Sequence, residues 1–162
     1  MKRALIVVAL LIVVLLGAAG GYIYSKQPTR QGQVELRNLQ GSVTVRYDER
    51  GVPHIRAENE TDLYRALGYV HAQDRLFQME AMRRLARGEL AEVLGPKLLG
   101  TDKLFRSLRI RERAASYVAS LDKQSPAWKG LQAYLDGINQ YQDSHAAPIE
   151  FDVLGIPKRP FT

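Results

Sequence analysis

Three histidines, His54, His71 and His145, are the obvious candidates for metal or acid–base chemistry, and none has the neighbours that such chemistry needs. A zinc helix of the H-E-x-x-H type sets two imidazoles one turn apart with a carboxylate between them, whereas His71 has only Asp74 at i+3. A serine nucleophile on a strained elbow needs G-x-S-x-G, and that pattern is missing. Gly41-Ser42 falls between two stretches of alternating polarity and reads as turn chemistry. There is no glycine-rich phosphate loop, and with no cysteine the chain has no disulfide, thiolate or Cys-ligated metal. The run His71-Ala72-Gln73-Asp74-Arg75 gathers an imidazole, an amide, a carboxylate and a guanidinium on one segment. It reads either as a catalytic dyad or as a structural ionic network of His71, Asp74 and Arg75 bracing a helix against a sheet. Asp74 falls beside the helix's apolar stripe, where a bare carboxylate would be costly, so the network is preferred. No catalytic or metal-ligating residue is assigned, and the substrate-binding residues are unknown.

The elements around these residues follow from periodicity. Val34, Leu36 and Leu39 alternate with polar neighbours, as do Val43, Val45 and Tyr47, and Val52-Pro53-His54-Ile55-Arg56-Ala57 follows a turn at Asp48–Gly51. That predicts two or three short strands, the last at an edge or beginning at Pro53. Asn59 then starts a helix of about 28 residues, with Glu60 and Asp62 in its first turn and Gly88 as its stop. Leu63, Leu67, Val70, Phe77 and Ala81 mark its apolar stripe, with Ala66 and Gln73 at the edge. A helical turn or two over Glu89–Leu94 ends at Gly95-Pro96, and Asp102 opens a stretch running to Leu121. Ser125-Pro126 starts a further helix, to about Tyr141. Ala146–Thr162 carries three prolines and is expected to be extended. Strands followed by helices give an α+β class, mostly helical, whose strands are too few to cover the helix faces; more sheet or a partner chain must do so.

The chain has 162 residues, 46% of them apolar, 25% charged and 8% aromatic, which are globular values. The apolar residues are concentrated at the start. Met1-Lys2-Arg3 precedes an uninterrupted apolar run, and Ala4–Tyr24 is close to the ~20 residues that span a bilayer. This is the layout of an export signal, with residues 1–25 as a signal peptide or N-terminal anchor and residues 26–33 as a linker. Gly17-Ala18-Ala19 offers small residues for cleavage, so both outcomes stay open. The body is expected in a bacterial periplasm, anchored to the inner membrane through residues 4–24 if uncleaved. Without Lys2 and Arg3 the body holds 21 basic and 17 acidic residues, a charge of +4 and far from a nucleic-acid-binding tract. Arg83, Arg84, Arg87, Arg106, Arg109, Arg111 and Arg113 read as solvated faces and helix ends, since Glu80, Glu89, Glu92 and Glu112 intersperse them.

The segment Tyr47-Asp48-Glu49-Arg50-Gly51-Val52-Pro53-His54-Ile55-Arg56-Ala57 resembles the opening strand motif of the penicillin acylase family. The helix Ala66-Leu67-Gly68-Tyr69-Val70-His71-Ala72-Gln73-Asp74-Arg75-Leu76-Phe77-Gln78-Met79 follows in the family's order. So do Arg83-Arg84, Gly88-Glu89-Leu90-Ala91-Glu92, Gly95, Leu131–Asn139 and Pro148–Phe151. The likeness covers residues 34–162, an incomplete α-subunit region. It implies an N-terminal-nucleophile hydrolase of αββα fold, exported as a precursor and cut into α- and β-subunits. The nucleophile would be the first serine of the β-subunit, with its own amine as base and an oxyanion hole beside it. Substrates would be amides with apolar or aromatic acyl groups, such as β-lactams and N-acyl-homoserine lactones. Family members often bind a structural calcium, but its carboxylates, like the nucleophile, have no position here to be carried onto. The family's Gly-Ser-Asn junction is not matched by Gly41-Ser42, which is followed by Val43. The expectation is a truncated product, a fragment or a trimmed α-subunit, inactive alone and paired with the β-subunit of its precursor. The competing reading is a membrane-anchored, non-catalytic scaffold or binding module built from the acylase α-region.

Overall fold

The computed structural model describes residues 2–162, the side chains from Leu5 onward, and divides into two compact units, residues 1–32 and 33–162. The first contains helix α1, Lys2–Ser25. Residues Leu5–Ser25 are long and apolar enough to cross a membrane, and none of that stretch is buried.

The second unit opens with a hairpin of β1 (Thr44–Tyr47) and β2 (Pro53–Arg56), antiparallel, with Val45 opposite Ile55 and Tyr47 opposite Pro53. Asp48 closes its turn by accepting from Arg50 N at 2.9 Å and Val52 N at 2.8 Å, and Gly51 takes φ 75°. These are the only two strands among the described residues. The strand expected around Val34–Leu39 is not one. At its centre the backbone of Arg37 is bonded by a side chain instead: Gln140 Oε1 accepts from Arg37 N at 2.7 Å, and Gln140 Nε2 donates to Arg37 O at 3.2 Å. One amide does locally what a neighbouring strand would do.

Helix α2 runs Glu60–Arg87. Asn59 caps it through Oδ1, which accepts from Asp62 N at 2.8 Å. Gly88 ends it at φ 64°, a left-handed conformation that costs a residue with a Cβ more than it costs glycine. Arg75 departs from helical geometry at φ −138°, ψ 18°, a kink with no proline or glycine at that position. After α2 come α3 (Ala91–Leu94), a 3₁₀ turn at Pro96–Leu98, and α4 (Leu99–Ser107). The stretch expected to run from Asp102 to Leu121 is therefore two helices, with α5 at Ile110–Ser120. The break is Arg109, at φ 53°, which no helix-stopping residue announces. Helix α6 is Pro126–Ser144, capped by Ser125 Oγ accepting from Trp128 N. The tail is not wholly extended, since α7 forms over Ile149–Leu154 and Gly155 stops it.

The core lies between α2 and α6, closed by α7 and the tail: Tyr69, Ala72, Leu76, Ile138, Tyr141, Phe151 and Ile156. Full burial of Leu76 or Ile138 stabilises by about 1.5–3 kcal/mol each. The two helices touch backbone to backbone. A Cβ at Gly68 would lie 2.0 Å from Tyr134 O, and one at Gly137 would lie 1.9 Å from Arg65 O. The absence of side chains at these two positions sets the helix separation.

Candidate functional site

The buried face of α2 is offset from the stripe expected for it. Asp62, Arg65, Ala66, Gly68, Tyr69, Val70, Ala72, Leu76, Glu80 and Arg84 are buried, while Leu63, Leu67, Phe77 and Ala81 are only half-buried. Four of the ten buried residues are charged. A hydrophobicity stripe misses such a face, but the i,i+3 spacing of Asp62–Arg65 and the i,i+4 spacing of Glu80–Arg84 carry the signal.

Two ionic centres result. At the start of α2, Asp62 accepts from Gln40 N at 3.0 Å, Gly41 N at 2.9 Å and Asn59 Nδ2 at 2.7 Å. Arg65 lies between Asp62, at 3.3 Å, and Asp136 of α6, at 2.8 Å. Burial pushes the Asp62 carboxyl up, but the bonds from Asn59, Gly41 and Gln40 and the Arg65 charge outweigh it and leave the pKa lowered. Asp136 is lowered in the same way, with burial opposed by Arg65, Asn38 and Gln140. Near the end of α2, Glu80 takes Arg84 Nε at 2.7 Å and Arg83 Nε at 2.8 Å, and Arg84 continues to Glu92 at 3.0 Å. Asp102, also buried, accepts from Leu90 N at 2.9 Å and Ala91 N at 2.8 Å, capping α3 from α4. These groups hold the backbone in place.

The residues singled out in the sequence lie between the two centres. His71 is exposed, its Nδ1 3.0 Å from Tyr134 Oη, with the two rings edge to face. Arg75 is exposed and donates to Gln78 Oε1 at 3.3 Å. Asp74 is half-buried, and its charge adds to the forces that raise the pKa of Tyr141, after burial and Tyr69. His54 pairs with Asp48 at 3.4 Å on the surface, and His145 stacks on Tyr141 with centroids 4.5 Å apart. The three histidines are thus distributed over three separate places. Among the described residues no three His, Asp or Glu side chains are grouped to hold a metal.

The last residues are held by side chains. Asn139 accepts from Phe161 N at 2.8 Å and donates to Phe161 O at 2.9 Å. Arg83 donates to Pro160 O at 2.8 Å and lies over the Phe161 ring at 4.3 Å. Lys158 donates to the carbonyls of Gln142 and His145 at the end of α6.

A mostly helical body behind one short two-stranded hairpin is what the described residues form, and it resembles a solved penicillin acylase. The thermostable penicillin G acylase from Alcaligenes faecalis matches it with a TM-score of 0.64 and 33% identity, over 75% of this chain and 66% of that one. Residues 42–162 match the penicillin amidase family model, and the chain belongs to that family. Its relatives include the penicillin acylase 2 proenzyme of Pseudomonas sp. (strain SE83), 41% identical over 135 residues, 83% of this chain. The acyl-homoserine lactone acylase QuiP of Pseudomonas putida is 41% identical over 123 residues, 75% of this chain. The penicillin G acylase of Escherichia coli is 39% identical over 119. This chain spans 17%, 15% and 14% of those three relatives' lengths.

Proposed function

We propose that this chain is the α-subunit-like portion of an exported amide hydrolase of the penicillin and acyl-homoserine-lactone acylase type. The observation that carries the reading is the family match over residues 42–162, on a body whose buried carboxylates and guanidiniums are already committed to each other. In this reading the αββα core is completed by a β-subunit of the same precursor, whose N-terminal serine attacks the amide and forms an acyl-enzyme. The word proenzyme in the name of one relative agrees with such processing. Tyr64, Met82, Leu131 and Val153, exposed on α2, α6 and α7, supply apolar surface for that partner to cover. His71, Asp74 and Arg75 serve structure. The chain acts in the periplasm, with α1 as its export signal or inner-membrane anchor, and has no turnover alone.

The test is to express the gene with its downstream sequence and read the N-termini of the purified polypeptides. A second polypeptide beginning with serine, co-purifying with this chain and hydrolysing an aryl- or long-chain acyl amide, is the expected result. A single uncut polypeptide, or turnover by this chain alone above a heat-killed control, would overturn the proposal.

A further inference from the structure

The arginines that the sequence presents as one solvated series are of two kinds in the structure. Arg83, Arg84 and Arg87 are ion-paired, to Glu80, Glu92 and Glu89. Arg109, Arg111 and Arg113 make no ion pair with any described residue. Helix α5 buries none of its eleven residues. At 100° per residue, Ile110, Ala114, Tyr117 and Val118 fall on one face, with Leu121 extending its line just past the helix end. Arg111 and Arg113 flank that face on either side, and Glu112 lies nearly opposite. Tyr117 is 66% exposed, and Leu104 and Leu108 of the preceding helix are 56% and 47% exposed. At the junction of α2, α4 and α5 is a cavity of about 310 Å³ lined by Ala86, Phe105 and Ile110, by the guanidiniums of Arg87, Arg106, Arg109 and Arg111, and by the carboxylates of Glu89 and Glu112. Its charges are mixed, and Arg87 and Arg106 are already engaged by Glu89 and Gly88 O.

We infer that α5 is a docking surface for an anionic phospholipid bilayer, with Tyr117 and Val118 entering the headgroup boundary and Arg109, Arg111 and Arg113 meeting lipid phosphates. Charge complementarity selects this occupant. A protein partner covering an apolar face needs no cation on each flank, whereas an interfacial helix is built that way, apolar in the middle and basic at the edges. A helix long and apolar enough to span a membrane stands at the start of the same chain. The inference rests on the anchored reading of α1: one segment would hold the protein to the bilayer and the other would lay its body down on it, where amphiphilic acyl amides partition.

The experiment uses the full chain with Trp128→Phe, which removes the sole tryptophan, and Tyr117→Trp, reconstituted with phosphatidylcholine vesicles with or without phosphatidylglycerol, half of each carrying brominated chains. Flotation with pure phosphatidylcholine reads α1 alone; failure to float there removes the anchored reading, and phosphatidylglycerol-dependent flotation then tests α5 directly. The expected result is a blue-shifted, bromine-quenched indole only when phosphatidylglycerol is present. Both effects should disappear in Arg109→Gln/Arg111→Gln/Arg113→Gln, whose partitioning should fall about a hundredfold at roughly one decade or less per charge. Quenching that ignores phosphatidylglycerol, or no quenching in either vesicle, would overturn the inference. So would full competition by inorganic phosphate at matched ionic strength, which would make this a site for the free ion.

Discussion

Replacing Gly137 by alanine should destabilise the protein even though alanine is the better helix former. In an open helix the change would gain about 1 kcal/mol. Here the new methyl would stand 1.9 Å from Arg65 O and 2.9 Å from both Arg65 C and Tyr69 N, all backbone atoms that no rotamer change can move. Relief requires α2 and α6 to part by roughly 1 Å, and a gap of that size forfeits a quarter to a half of each dispersion well along the seam. Leu76, Ile138, Tyr69 and Tyr141 all lie on that seam. Overpacking of this kind costs about 1–3 kcal/mol, and backbone-to-backbone contact puts it at the upper end. After the propensity gain, a net loss of about 2 kcal/mol is expected. Urea unfolding of the detergent-solubilised chain, followed by the fluorescence of Trp128 on α6, measures it. Gly100→Ala is the control. It sits on α4 with nothing within 4 Å of its added Cβ, and it should be neutral or stabilising by up to ~1 kcal/mol. A Gly137→Ala protein as stable as its parent would refute the claim that bare backbone sets the helix spacing.

Three further outcomes are expected. Glu80→Ala leaves Arg84, 3% exposed, without its buried partner and should cost about 3–5 kcal/mol in the same unfolding assay. The Asp62 pKa is depressed in the folded state, so its contribution is complete above the ordinary carboxylate pKa and is lost as pH falls through the lower folded value. Unfolding midpoints measured from pH 6 to pH 3 should therefore drop more steeply in the parent than in Asp62→Asn, and parallel curves would contradict this. Asn139→Ala removes both bonds to Phe161 and should speed tryptic cleavage at Lys158 in a native digest, with the helical circular dichroism unchanged.

The sequence made the punctuation legible where a cap has a local chemical cause. Asn59 and Ser125 each accept from a backbone donor in the first turn, Pro126 removes one, and Gly88 donates to the last carbonyls of its helix; each sits where periodicity and cap chemistry put it. What stayed hidden depends on distant partners. Val34–Leu39 has strand-like alternation, but the backbone of Arg37 at its centre bonds to Gln140, over a hundred positions away. Arg109 breaks a helix that its own type would continue. The burial of Asp62, Arg65, Glu80 and Arg84 follows from ion pairing, which a hydrophobicity pattern scores as surface, so the face of α2 was placed about one residue off. The motifs around His71 pointed to the family, and in the structure His71 and Arg75 are exposed and bond to Tyr134 and Gln78.

The segment Lys158–Phe161 is moored almost entirely through its main chain. Asn139 grips the amide and carbonyl of Phe161, Arg83 and Gln142 reach the carbonyl of Arg159, and Arg83 also holds that of Pro160. Such moorings are indifferent to spelling. Aside from the stacking of Phe161 under Arg83 and the Lys158 ammonium, the residues here could drift while the path of the chain did not. A stretch that would look freely variable in a family would still leave the helix pair on a fixed bearing, set by letters written twenty and seventy positions earlier.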